Sequence, residues 1–281
     1  YYLFPGPYIA SAVCATALIS EYGTDAQKKA YLSRMARGET IVAPAVHRPE
    51  PFAGHCGPER LQTEADGHYI LTGTRLFVPY VTSADCLLVA ADDYLLLVPA
   101  DLPGITRTPF PTIAGDKQGE VFFDKVRLPA DSLLGNRDNG LEIQARLQDI
   151  GALSHSAYIL GMLERVVEMT VEYARARVQF GKPIGQFQVI QHQCADMAID
   201  LEQVRYLIYQ AALKMSEGAP CTREIAMAKA RATDASRRVC LLGVKIHGGT
   251  GIIDEYDMQL YFRRAKAMEL ATQSQVLVRQ A

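Results

Sequence analysis

Residues Tyr173 to Met197 read YARARVQFGKPIGQFQVIQHQCADM. The stretch leaves one long helical pattern, breaks at Gly181, Pro183 and Gly185, and enters another. Around the break stand Arg177, Phe180 and three amides, Gln186, Gln188 and Gln191. An arginine at a helix end, before a tight turn, suits a diphosphate, because its planar fork donates paired hydrogen bonds to an anion. The same arginine also suits a helix C-terminus, where it would satisfy the last carbonyls while the glycines end the helix. These residues alone leave both readings open.

On either side of this break the apolar period is helical. Ile190, Cys194, Met197, Leu201, Val204, Ile208 and Ala211 step by fours and threes. So do Ile225, Ala228, Ala232, Ala235, Val239, Leu242 and Ile246. Such seams predict long helices packed at shallow angles in an antiparallel bundle, with the alanines allowing close approach. Upstream, residues 41–126 carry short apolar or alternating runs at 60–64, 69–78, 86–91, 94–98, 105–109 and 120–126. Their even spacing and the Ala65-Asp66-Gly67 turn predict a small sandwich or barrel. Leu128 to Gly140 reads as a linker, rich in turn residues. Before the strands, Tyr8 to Tyr22 predicts a buried helix, and Thr24 caps a second helix through Met35 that stops at Gly38. The pattern is thus α plus β in several domains.

The 281 residues are enough for two or three domains with an ample core. A formal net charge of -2 leaves no footprint for nucleic acid or an anionic membrane. The six cysteines show no CxxC and no regular spacing, so they read as thiols of a reducing compartment. No HExxH arrangement occurs among the histidines, and no metal is expected. Tyr1 to Ser20 is uncharged and long enough for a membrane span, but Pro5, Gly6 and Pro7 interrupt it and no basic residues precede it.

YARARVQFGKPIGQFQVIQH resembles the flavin-diphosphate signature of the acyl-CoA dehydrogenase family, a tyrosine followed by R-x-x-F-G-K-x-I and F-Q. IHGGTGIIDEYDMQLYFRRAK, Ile246 to Lys266, resembles that family's Gly-Gly-x-Gly segment and Tyr-x-Arg helix. EYGTDAQKKAYLSRMARGE, Glu21 to Glu39, resembles the entry to its middle domain. The three blocks keep family order and spacing over nearly the whole chain. The resemblance implies a multidomain α+β fold: an N-terminal helical domain at 1–40, expected to be partial, a middle antiparallel β-domain at 41–134, and a C-terminal helical bundle at 135–281. It also implies FAD and an acyl-CoA substrate, a soluble cytoplasmic protein and no membrane span.

In that family a glutamate removes a proton beside the thioester carbonyl, and hydride leaves the next carbon for the flavin. The resemblance places the glutamate at one of two positions, which here are Thr272 and Gly151. Neither can act as a base. The flavin-ring half departs from the pattern too: His47-Arg48-Pro49 stands for Thr-Glu-Pro, with Glu50-Pro51 following, and Phe77-Val78-Pro79 stands for Trp-x-Thr. Phe77 could still stack, but Pro79 offers neither N–H nor hydroxyl. The diphosphate-adenosine half is mostly kept, in Arg177, Phe180, Gln188, Lys245 in place of the common glutamine, and Gly248-Gly249-Thr250-Gly251. Taken alone, those glycines are equally readable as a helix C-cap and turn.

The family's FAD crosses a subunit interface, and heteromeric members pair catalytic with non-catalytic chains, chiefly in steroid side-chain breakdown. The expectation is therefore a non-catalytic subunit of a heterotetramer, lending Arg177, Gln188 and the glycine bend to FAD whose ring and base belong to a paralogous catalytic partner. Two alternatives stay open at this point. One is a self-sufficient dehydrogenase or oxidase using Asp149 or Glu269 as base; the other is a non-enzymatic helical scaffold without flavin.

Overall fold

A computed structural model describes residues 1–47 and 60–273, with side chains described as far as Glu269. The described chain packs as two compact units, residues 6–151 and residues 1–5 with 152 onward.

In the first unit, a π-helical stretch (Tyr8–Ala15) runs into α1 (Thr16–Tyr22) and is followed by α2 (Asp25–Ala36). The predicted cap at Thr24 is present as a reciprocal pair: Gln27 N–H donates to Thr24 Oγ1 at 3.2 Å, and Thr24 N–H to Gln27 Oε1 at 3.0 Å. Gln27 also donates through Nε2 to the carbonyls of Asp131 and Leu133, at 2.8 and 2.9 Å. The polar turn before the long helix is therefore tied down rather than loose, a packing that turn composition alone did not reveal.

The strands are β1 (Val42–Ala45), β2 (Arg60–Thr63), β3 (Tyr69–Pro79), β4 (Cys86–Ala91), β5 (Tyr94–Pro99), β6 (Ile105–Phe110) and β7 (Gln118–Leu128). They make a three-stranded sheet in the order β1-β4-β5 and a four-stranded antiparallel sheet in the order β2-β3-β7-β6. Alternating residues from both sheets enter one core, with Ala43, Leu87, Val89 and Leu96 meeting Leu71, Val121, Phe123 and Val126. The result is the expected sandwich. One pairing departs from the antiparallel expectation: β1 and β4 run parallel, Val42 beside Cys86 through Ala45 beside Val89. All of β4 is buried, so its ladder is set by what covers it and not by a local turn.

The second unit is the bundle. Its long helices are α3 (Gly140–Ala176), which is shared between the units, α4 (Gln188–Ser216), α5 (Thr222–His247) and α6 (Met258–Gln273). Both predicted seams point inward: Met197, Leu201, Val204 and Ile208 of α4 and Ala228, Ala232, Ala235 and Val239 of α5 join Met162 and Val166 of α3. A β-carbon on Gly243 would stand 3.0 Å from both Met258 Sδ and Val166 Cγ1, so this glycine sets the approach of α6 and α3 to α5. No described helix is long and apolar enough to cross a membrane.

Candidate functional site

At the C-terminus of α3 the chain turns through a hairpin, β8 (Val178–Gln179) against β9 (Lys182–Pro183). Its two central residues, Phe180 at φ 52° and Gly181 at φ 78°, are both left-handed. A two-residue hairpin loop needs that handedness to match strand twist, and asparagine-glycine is the usual solution. Phenylalanine there is strained, at a cost on the order of 1 kcal/mol, and its ring is 92% exposed. It touches Phe187 edge to face, centroids 6.2 Å apart, and the Lys182 ammonium lies 4.5 Å from the Phe187 ring centre. Among the described residues nothing gives a large aromatic held strained in solvent a folding rationale.

Arg177 is exposed, and among the described residues its guanidinium forms no hydrogen bond or ion pair. Its own N–H donates to Tyr173 O and its carbonyl accepts from Ile184 N–H, each at 2.8 Å. The capping reading, in which the side chain satisfies the last carbonyls of α3, is therefore not met. Gln188, also exposed, opens α4, whose start has no side-chain cap; its first amides and the positive end of the helix dipole favour an anion. Gln191 donates to Gly185 O at 3.0 Å and holds the turn.

The second half of the constellation follows α5. Gly248 sits at φ 59°, ψ -138°, a region in effect reserved for glycine, so the helix-stop reading accounts for it. Gly249 is different: its φ is ordinary, and a β-carbon there would meet nothing within 4 Å. Nothing among the described residues requires it to lack a side chain, whereas a phosphate approaching the backbone would. Gly251 packs against Val244 O at 2.9 Å in the same test and is structural. Lys245 is exposed in the last turn of α5.

Beneath this bend lie Tyr173, the tyrosine that opens the signature, and two residues that the sequence did not single out, His247 and Tyr256. His247 is buried, its Nδ1–H donates to Gly243 O at 2.7 Å, and Nε2 accepts from Tyr256 OH at 3.1 Å. Burial lowers its pKa from the usual histidine value, so the ring is neutral. Tyr173 stacks on it at 4.3 Å between centroids. Only the position of His247, directly before the glycines, hinted at this in sequence.

On the flavin-ring side, β3 and β7 shift register between Arg75 and Val78. The bulge turns Phe77 outward at φ 55°, 57% exposed and edge-on to Phe110 at 6.2 Å. His47 bridges to Leu76 and its pKa is lowered by burial. Arg48, Pro49, Glu50 and Pro51 lie outside the described residues.

Gly151 is half-buried in α3, where a β-carbon would meet only Cys14 Sγ, at 4.0 Å. That thiol is pushed up to about 12 by burial and offers no base. Thr272 lies in the last turn of α6, its side chain outside the described residues. Asp149 is half-buried on α3. The Glu269 side chain is 17% exposed and pairs with Lys266 at 3.1 Å. Among the described residues no group of histidine, cysteine, aspartate and glutamate could hold a metal ion.

The family described as "Acyl-CoA dehydrogenase, C-terminal domain" matches residues 138–272. The short-chain specific acyl-CoA dehydrogenase of Megasphaera elsdenii is 32% identical over 92% of this chain and 71% of its own length. A chain of the ChsE4-ChsE5 complex from Mycobacterium tuberculosis superposes with a TM-score of 0.89 at 32% identity, covering 96% of this chain and 72% of that one. A steroid ACAD, Tcur3481-Tcur3483, superposes at 0.83 with 29% identity, covering 94% of this chain and 71% of that one.

Proposed function

Because the chain belongs to the acyl-CoA dehydrogenase family, whose members are FAD-dependent, we propose that it is a subunit of a heteromeric acyl-CoA dehydrogenase, lending half a cofactor site to a catalytic paralogue. FAD, when bound, supplies the acceptor for the hydride that leaves the acyl chain. Arg177 and the Gly249 backbone would hold its diphosphate, with Lys245 adding a charge and Phe180 and Gln188 facing the adenosine end; the Gly248 N–H is already spent on the Lys245 carbonyl. The observation that carries this reading is the exposed Arg177, unpaired among the described residues, together with Gly249, where a side chain would meet nothing within 4 Å among them. A guanidinium and a glycine backbone offered to an anion are a binding device and need no base of their own.

The base belongs to the partner. Gly151 has no proton acceptor, and its neighbour Cys14 stays protonated. Asp149 does not replace it: positions two apart on an α-helix point about 200° apart. Glu269 shares a face with Thr272 but is already engaged by Lys266. The likeness to the ChsE4-ChsE5 complex and to a steroid ACAD supports a heteromer acting on a bulky, steroid-derived acyl-CoA, and we take it to be a cytoplasmic heterotetramer. Purified alone, the chain is expected to be colourless and to reduce no dye acceptor with any acyl-CoA. Yellow protein that turns over by itself would overturn the assignment in favour of the self-sufficient enzyme.

A further inference from the structure

The anion corner proposed above is assembled from two segments far apart in sequence, the end of α3 and the turn after α5. Amides and a guanidinium recognise one diphosphate only if they are held in fixed register, since a misplacement of about 1 Å forfeits most of a charged hydrogen bond. A device that holds them is present in the second unit.

Tyr173 lies one helical turn before Arg177 and accepts its N–H at 2.8 Å. The same tyrosine stacks on His247 with 29° between the rings, and its hydroxyl donates to the His247 carbonyl at 3.3 Å. His247 is the residue that enters the bend, and both of its ring nitrogens are used, toward Gly243 O and Tyr256 OH. Tyr256 lies on the far side of the bend and packs on both other rings, at 5.2 Å from His247 and 6.5 Å from Tyr173. Burying an imidazole costs desolvation that an apolar side chain would avoid, and its two bonds repay this only by fixing an orientation.

We propose that Tyr173, His247 and Tyr256 form a clamp that positions the Gly248-Gly249 bend against Arg177 so that both grip the same diphosphate. The three are positioning residues, and the proposal rests on the reading of this corner as the diphosphate site. It also accounts for a histidine at 247, where an aliphatic residue would fill the space without tying the bend to Gly243 and Tyr256.

The test compares wild type with His247→Phe and Tyr256→Phe, which keep the rings and remove the hydrogen bonds. Controls are Arg177→Gln and Ile208→Val, the latter a core truncation of the same bundle. Two quantities are read: amide hydrogen exchange across residues 248–252, and the affinity for ADP as the probe. The clamp predicts exchange at least tenfold faster and ADP binding three- to tenfold weaker in both aromatic variants, with Ile208→Val changing neither. Unchanged exchange overturns the clamp. Faster exchange with unchanged ADP affinity, while Arg177→Gln weakens ADP, overturns the positioning role and leaves the diphosphate reading intact. ADP affinity that is absent in wild type or insensitive to Arg177→Gln removes the diphosphate reading and the clamp's purpose with it.

Discussion

Gly248 and Gly249 are adjacent and answer to different forces. The first needs a backbone conformation that side chains reject, so Gly248→Ala is expected to cost about 1–3 kcal/mol of stability as well as weakening any ligand at the bend. Gly249→Ala has room and an ordinary φ, so its stability should stay within about 0.5 kcal/mol of wild type while ADP affinity falls. Denaturant titration beside ligand titration separates the two. Lys229 makes the opposite case, a residue with no evident use in the proposed chemistry. Its ammonium is buried in the bundle without a hydrogen-bond partner among the described residues, and desolvation lowers its pKa to about 7. Since the folded value lies below the unfolded one of 10.5, the unfolded chain binds the extra proton between them. Stability should therefore rise with pH from about 7 to about 10, and be flat in this respect below 7. Lys229→Met should raise stability at pH 7 by roughly 2–4 kcal/mol and abolish that slope, as read by unfolding at several pH values.

At the scale of elements, the two seams and most strands were legible because each records a local period: threes and fours for helices, alternation for strands. The Thr24 cap was legible for the same reason, its partners being three residues apart. What escaped was non-local. The parallel β1–β4 pairing joins two segments distant in sequence, Val42 with Cys86, and the bulge that turns out Phe77 depends on how β7 aligns with β3. The Tyr173–His247–Tyr256 cluster needs two helices and the turn before α6 to meet before it exists. Motif resemblance did point to Arg177, Phe180, Gln188, Lys245, Gly248 and Gly249, but not to what supports them. Gly243 belongs to this scale as well. Gly243→Ala drives a methyl to 3.0 Å from Met258 Sδ and Val166 Cγ1, and the loss from overpacking should exceed the helix-propensity gain of about 1 kcal/mol. A net fall in thermal stability is the expected result; a rise would mean that α6 does not lie where its contacts place it.

For the whole molecule, the division of labour is asymmetric. On the proposed reading, one part of the family's cofactor site is an exposed corner with an arginine unpaired among the described residues, a strained exposed phenylalanine and an open glycine bend. The other part has Pro79 where a donor is expected and Gly151 where a base is expected. On that reading the chain is chemically incomplete by itself, while each of its two units has a hydrophobic core of its own residues. The measurement that bears most directly on this is the number of flavins per chain in the complex co-purified with a paralogue carrying the glutamate. One flavin for every two chains, lost on Arg177→Gln in this chain, is the predicted result; one flavin for every chain would contradict it.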